Sequence, residues 1–332
     1  MNPPDPAIVV DLIEAFRRSK TMFAAVEFRL FDRLANGPAE PRAIRREDED
    51  LDTLTRLMDA CIALGLLTKQ GGAYANTPAS DAYLRRESPR TMTGYIVYSN
   101  RMLWQLWAHL EDAVREGSHR WKQVYGIEGS VFDYFYRTEE AKREFLLGMH
   151  GFGLIASPSV VSAFDLSRFH RMVDLGGGTG HLCLAACERY PNLEAAVFDL
   201  PQAVAFAREF TAGSRVELLA GDFFADPLPP ADLYAVGRIL HDWGEEKIKK
   251  LLAKIHAALP PRGALLIAEK LLRDDLSGPA HVHMQSLNML VCTEGRERSL
   301  AQYRTLLEAA GFVEVQGKFT GSTVDAVMAI RP

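Results

Sequence analysis

Apolar residues recur every three to four positions along residues 7–34, with Phe23, Val26, Leu30 and Leu34 on one stripe. This is the spacing of an amphipathic helix. Asn36-Gly37-Pro38 ends it, and a second stripe of Leu54, Leu57, Met58, Cys61 and Leu64 predicts a helix over residues 51–67. Lys69-Gln70-Gly71-Gly72-Ala73-Tyr74 then reads as a glycine-rich turn between two short strands. Helix, helix and hairpin form a winged-helix-like outline. Residues 92–152 are mainly helical and dense in aromatics, which suits both a core and the wall of a pocket for a flat molecule. Beyond His170 the texture changes. Short apolar runs at 172–173, 195–198, 216–219, 233–236 and 264–268 alternate with helices starting near Leu182, Gln202 and Glu245. That alternation predicts an α/β domain with a parallel sheet covered on both faces. The expected division is a winged-helix-like dimerisation module at 1–95, a helical connector lining a pocket at 96–160, and a ligand-binding α/β domain at 161–332.

Charge decides what the first module is for. The chain carries a formal net charge of −5 over 332 residues. The would-be recognition helix holds Arg56 between Asp52 and Asp59, just after Glu47-Asp48-Glu49-Asp50. A surface of that sign repels phosphate, so packing or dimerisation is favoured over nucleic-acid binding. No long apolar run and no charged-then-apolar leader stands out, so a cytoplasmic protein without a membrane partner is expected. None of the four cysteines has CxxC spacing, and no set of further ligands completes a metal site around Cys183 and Cys187. His281 and His283 flank no acid pair at ligand spacing either, so no metal is expected.

The chemistry concentrates at Val173-Asp174-Leu175-Gly176-Gly177-Gly178-Thr179-Gly180, which ends a strand and opens a helix. Glycines there let the chain turn sharply and let a ligand approach the backbone. A dinucleotide fingerprint would need Gly or Ala where His181 stands. The spacing is G-x-G-x-G, with Asp174 ahead of it. A carboxylate at that place is poor company for a pyrophosphate but suits a ligand with a cationic end, such as S-adenosylmethionine. Asp199 ends the second strand and can accept both ribose hydroxyls. Asp222, in Gly221-Asp222-Phe223-Phe224, can accept from the adenine amino group while Phe223 packs on the ring. Three acids at successive strand ends make a coherent nucleoside site.

With these residues in hand, the sequence resembles the caffeate-type and acetylserotonin (hydroxyindole) O-methyltransferases over nearly its whole length. The densest matches are at residues 173–180, 197–201, 221–230, 238–243 and 286–298, with Arg238-Ile239-Leu240-His241-Asp242-Trp243 the most distinctive. The resemblance implies a Rossmann-like class I methyltransferase domain with a mostly parallel seven-stranded sheet, behind a module that forms an intertwined homodimer. It implies a cofactor site at Gly176, Gly178, Asp174, Asp199, Asp222 and Phe223, with Arg238 nearby and Tyr136 closing over it. It also implies His241 as catalytic base, flanked by Glu269 and Glu297. Around the substrate, Tyr98 and Asn288 match a tyrosine and an asparagine of the acetylserotonin branch. Cys292 stands where that branch has a glutamine. Met149 and Met289 add a soft apolar surface for a flat ring.

The chemistry asks for such a base. A phenol, pKa ~10, is protonated at neutral pH, whereas an imidazole of pKa ~6.5 is available to take its proton. A carboxylate on the other ring nitrogen would fix the tautomer, and Glu269, beyond the strand next to that of His241, is expected to supply it. The expected function is therefore methyl transfer from S-adenosylmethionine to a hydroxyl of a small aromatic acceptor, without metal. A catalytically inactive S-adenosylmethionine-binding regulator with a DNA-binding winged helix is the alternative, opposed by the complete His241, Glu269 and Glu297 set.

Overall fold

The computed structural model describes residues 4–128 and 138–332. The chain divides into two compact units between Met102 and Leu103.

In the first unit α1 (Ala7–Glu27) stops short of the helix expected to residue 34. Arg29 adopts a left-handed φ of +57° and redirects the chain into the short helix Leu30–Arg33. The turn sends Val26, Leu30, Phe31 and Leu34 into one core with Leu54, Met58 and Cys61 of α2 (Leu51–Ala63). Asp50 caps α2 by accepting the Thr53 N–H at 2.9 Å. The hairpin follows as β1 (Leu67–Gln70) paired antiparallel with β2 (Ala73–Asn76). The apolar stretch of residues 23–34 is thus largely consumed internally. The exposed apolar residues of α1 lie earlier: Ile8, Val9, Leu12 and Ile13 are 57–72% exposed.

The second unit contains α3 (Glu139–Ala163), then β3 (Arg171–Leu175), α4 (His181–Arg189), β4 (Glu194–Asp199), α5 (Pro201–Thr211), β5 (Glu217–Ala220), β6 (Leu233–Gly237), α6 (Glu245–Ala258) and β7 (Ala264–Glu269). After the two-residue strands β8 (Leu271–Leu272) and β9 (Arg298–Ser299), which enclose α7 (Ala280–Cys292), come α8 (Leu300–Ala309), β10 (Val313–Lys318) and β11 (Asp325–Ile330). The large sheet has seven strands in the order β10-β11-β7-β6-β3-β4-β5. The five strands foreseen from apolar runs are parallel, and β11 joins β7 antiparallel.

Both faces of this sheet are covered, which is why its strands read as nearly continuous apolar runs. Val173, Ala196, Phe198, Tyr234 and Val236 pack with α6 and α8 on one face. Met172, Ala195, Val197, Leu233 and Ala235 pack with α3 and α4 on the other. Contrary to the expectation of no long apolar run, Ala141–Ala163 within α3 has the length and apolarity to cross a membrane. Here its Ala156, Val160 and Val161 are buried in the second of these cores.

Successive strands run outward from β3 through β4 to β5, and the chain then returns to the other side of β3 as β6. In an open parallel sheet, ligands settle at the carboxyl edge where the order reverses in this way. That edge carries Asp174, Asp199, Arg238 and Glu269 at the ends of β3, β4, β6 and β7.

Candidate active site

A cleft opens at this reversal, lined by Asp174, Gly176 and Gly177 from β3 and its turn, Arg238 after β6, and Gly153 and Phe152 of α3. Gly176 has φ +71°, and a Cβ there would lie 2.5 Å from Ile239 Cδ1 and 3.3 Å from Phe223 Cε1. At Gly177 a Cβ would lie 2.7 Å from the Asp174 carboxylate. The glycines are needed for fit as well as for conformation. Asp174 is buried, and its Oδ1 has no hydrogen-bond partner among the described residues. Burial, with the Asp199 charge adding to it, pushes its carboxyl up to about 8.

Asp199 ties the turn to β4. Its Oδ2 accepts the Gly178 N–H at 2.8 Å and its Oδ1 accepts the Leu200 N–H at 2.7 Å. Burial raises its pKa to about 6, against the pull of those two N–H groups. Each oxygen retains a lone pair for a further donor. Asp222 is fixed by accepting the Phe224 N–H at 2.8 Å. Lys254 of α6 donates to the carbonyls of Phe223, Phe224 and Asp226 and holds this loop in place. Arg238 takes a left-handed φ of +59°, uncommon outside glycine. Its guanidinium lies 5.0 Å from the Phe152 ring centre and 3.9 Å from Met149 Sδ.

Next along the edge is His241, 5% exposed. Its Nδ1 makes a 2.7 Å hydrogen bond with Glu297 Oε1, while Nε2 lies 3.7 Å from Asp242 Oδ1. The partner of the ring is therefore Glu297, and the expectation that Glu269 would orient it is corrected. Glu269 Oε1 accepts the backbone N–H groups of Ile239, Leu240 and His241 at 3.1, 2.6 and 3.2 Å. Its Oε2 accepts the Tyr303 hydroxyl at 2.6 Å. The fold explains the exchange of roles. Glu269 ends β7 directly beside the turn after β6, so it reaches backbone. Glu297 arrives on the 293–298 segment, which crosses so close over residue 241 that a Cβ on Gly295 would overlap the His241 carbonyl. Burial works to lower the basicity of His241. The charges of Glu297, Glu269 and Asp242 outweigh it and raise the pKa to about 9. One ligand atom from each of His241, Glu269 and Glu297 falls within 4.8 Å of the others. All but Glu297 Oε2 of the carboxylate oxygens are already committed to the hydrogen bonds above.

Comparison with known proteins follows the same division. A family model for the O-methyltransferase domain matches residues 107–313, and one for the O-methyltransferase dimerisation domain matches residues 10–86. The chain belongs to the O-methyltransferase family. It is 39% identical to the acetylserotonin O-methyltransferase of Gallus gallus, over 97% of this chain and 96% of the relative. It is 37% identical to the Homo sapiens probable bifunctional dTTP/UTP pyrophosphatase/methyltransferase protein, over 99% of this chain but only 54% of that longer protein. The crystal structure of human N-acetylserotonin methyltransferase in complex with SAM superimposes with a TM-score of 0.94 at 37% identity, covering 100% of this chain and 99% of the other.

The chain is thus an S-adenosylmethionine-dependent O-methyltransferase, and its own residues fit that cofactor. The orphaned Asp174 oxygen, the glycine turn without room for side chains, and the spare lone pairs of Asp199 together offer acceptors for a nucleoside bearing a cationic end. Phe223 packs against the same turn, at Gly176.

Of the residues expected around an acceptor, Asn288, Met289 and Cys292 lie on α7 and are buried. Asn288 Oδ1 accepts the Trp107 indole N–H at 2.8 Å and the Cys292 thiol at 3.7 Å, which leaves the amide N–H₂ free to donate. Tyr98 is buried, with its ring edge-on to Tyr95. Tyr136 lies outside the described residues. Sequence reasoning gave no binding role to the two histidines beside the glycine turn. His150 Nδ1 lies 2.8 Å from Thr179 Oγ1, and His181 Nδ1 lies 2.9 Å from Ser157 Oγ. Their signal was the i, i+7 spacing of His150 and Ser157 along one face of α3.

Proposed function

We propose that this enzyme methylates a hydroxyl of a small aromatic acceptor, a phenol or hydroxyindole, with His241 as general base and without metal. The buried Glu297–His241 hydrogen bond carries the reading. It assigns Nδ1–H to Glu297 and leaves Nε2 as the nitrogen that takes a proton. S-Adenosylmethionine supplies an electrophilic methyl group when bound. The chain's own contribution is to align the acceptor oxygen, exclude water and remove its proton. Glu269 fixes the backbone that carries the imidazole. Asn288 offers amide N–H donors, and Met149 and Met289 offer polarizable apolar surface to a flat ring. The chemistry of relatives that are named for acetylserotonin supports this acceptor class. Incubation with methyl-labelled cofactor and a panel of phenols and hydroxyindoles tests it. Labelled ethers should form in the presence of a chelator, and a reaction abolished by chelation would reject the metal-free reading.

The ribose assignment makes a second expectation. Asp199→Ala should weaken cofactor binding by about 1.5–3 kcal/mol, the range for a hydrogen bond to a charged group. Unchanged affinity by calorimetry would remove Asp199 from that role.

The first unit we assign to a homodimer. Support comes from the dimerisation-domain match and from the exposed Ile8, Val9, Leu12 and Ile13. Apolar residues clustered and exposed in this way mark association surfaces. Leu12→Glu combined with Ile13→Glu should give a folded monomer in light scattering at micromolar concentration. A dimer that persists would place the interface elsewhere.

A further inference from the structure

His181 is the first residue of α4, where the glycine turn ends. Its ring has a slot built for it, since a Cβ on Gly153 of α3 would overlap Cγ, Cδ2 and Nε2. The neighbouring Ser157 settles which nitrogen bears the proton. Ser157 Oγ lies 2.7 Å from the Gly153 carbonyl, which can only accept, so the hydroxyl proton goes there. The hydroxyl oxygen can then only accept from His181 Nδ1 at 2.9 Å, so Nδ1 is protonated. Burial, reinforced by the nearby His150 and Arg238, lowers the pKa of this imidazole to about 3 and keeps it neutral. Nε2 is therefore a lone-pair acceptor, and it has no hydrogen-bond partner among the described residues. His181 lines the same cleft as Arg238 and as Asp174, whose Oδ1 has no hydrogen-bond partner among the described residues. Two acceptors and one guanidinium in a single cleft suit a zwitterion, with its ammonium on the acceptors and its carboxylate on the cation.

We propose that His181 binds the α-amino group of S-adenosylmethionine, accepting an N–H at Nε2 beside Asp174. The proposal rests on reading the Asp174 cleft as the amino-acid end of the cofactor site. His181 gives this enzyme a neutral acceptor beside the Asp174 carboxyl, whose pKa is raised by burial and by the Asp199 charge.

Calorimetry with S-adenosylhomocysteine and its desamino analogue, in which hydrogen replaces the α-amino group, separates the possibilities. Wild type should prefer the amino ligand. His181→Leu should lose about tenfold in affinity for S-adenosylhomocysteine and nothing for the desamino compound. Equal loss on both ligands, or no loss, overturns the role of His181. A wild type that does not distinguish the two ligands would instead overturn the reading of the cleft itself. Should His181→Leu fail to fold, ¹⁵N-histidine NMR of the wild-type enzyme tests the same point. His181 should show protonated Nδ1 and bare Nε2, with the Nε2 resonance moving on addition of S-adenosylhomocysteine and staying put with the desamino analogue. A protonated Nε2, or the same movement with both ligands, overturns the proposal.

Discussion

His241→Ala is expected to lower turnover on an unactivated phenol by about 10²–10⁴-fold, the usual worth of a positioned general base. Affinity for S-adenosylhomocysteine should stay unchanged, because the nucleoside is assigned to Asp199, Asp222 and the glycine turn. His241 is anchored through Glu297 and through the backbone hydrogen bonds that Glu269 accepts, none of which involves the turn between β3 and α4. The deficit should shrink for nitro-substituted phenols, which ionise without help and need only alignment. Wild-type turnover by the variant on an unactivated acceptor would show that proximity alone drives the reaction, and the base would have to be sought elsewhere.

The parts of the fold that were legible in the sequence share a physical cause. The five parallel strands are buried on both faces, so they print as apolar runs. Their ends carry the chemistry because chain reversal leaves a crevice there, which is how Asp174, Asp199 and Arg238 could be picked out. Less legible were features set by a single backbone choice or by tertiary crossing. Nothing in the pattern of residues 23–34 announces the left-handed turn at Arg29. The antiparallel pair β10 and β11 was not among the foreseen strands. β10 is largely exposed, with Val315 its buried apolar residue, so it lacks the signal of the central strands. The exchange between Glu269 and Glu297 was hidden for another reason. Chain order places Glu269 on the strand next to His241, but the ring partner is fixed by Gly295 crossing over the His241 carbonyl, a contact with no local trace in sequence. In the sequence His181 only spoils a dinucleotide motif. Its meaning depends on Gly153 and Ser157, which reach it from α3.

Removing the carboxylate that holds the ring should change both the rate and its pH dependence. Glu297 is the first of the charges that raise His241 to about 9, ahead of Glu269 and Asp242. A raised pKa means that the free enzyme holds mostly imidazolium at neutral pH, so kcat/KM in the wild type should climb with pH and level off above about 9. The sign for the variant follows from the charge. A carboxylate favours the protonated ring, so its loss lowers the pKa, and the rising limb of Glu297→Ala must move to the acid side. Its plateau should be lower by about 10²-fold or more, because the imidazole loses the partner that fixes its tautomer and that stabilises the imidazolium formed in the reaction. Glu297→Gln should fall between the two, since its amide oxygen can still accept Nδ1–H but carries no charge. Glu269→Gln provides the contrast. Glu269 bonds to backbone and to Tyr303, and its charge ranks second in acting on His241. Its variant should therefore shift the limb less and should show mainly a lower melting temperature, as three N–H groups and a buried hydroxyl lose their shared charged acceptor. If Glu297→Ala keeps the wild-type midpoint while Glu269→Gln moves it, the two carboxylates have been assigned the wrong way round.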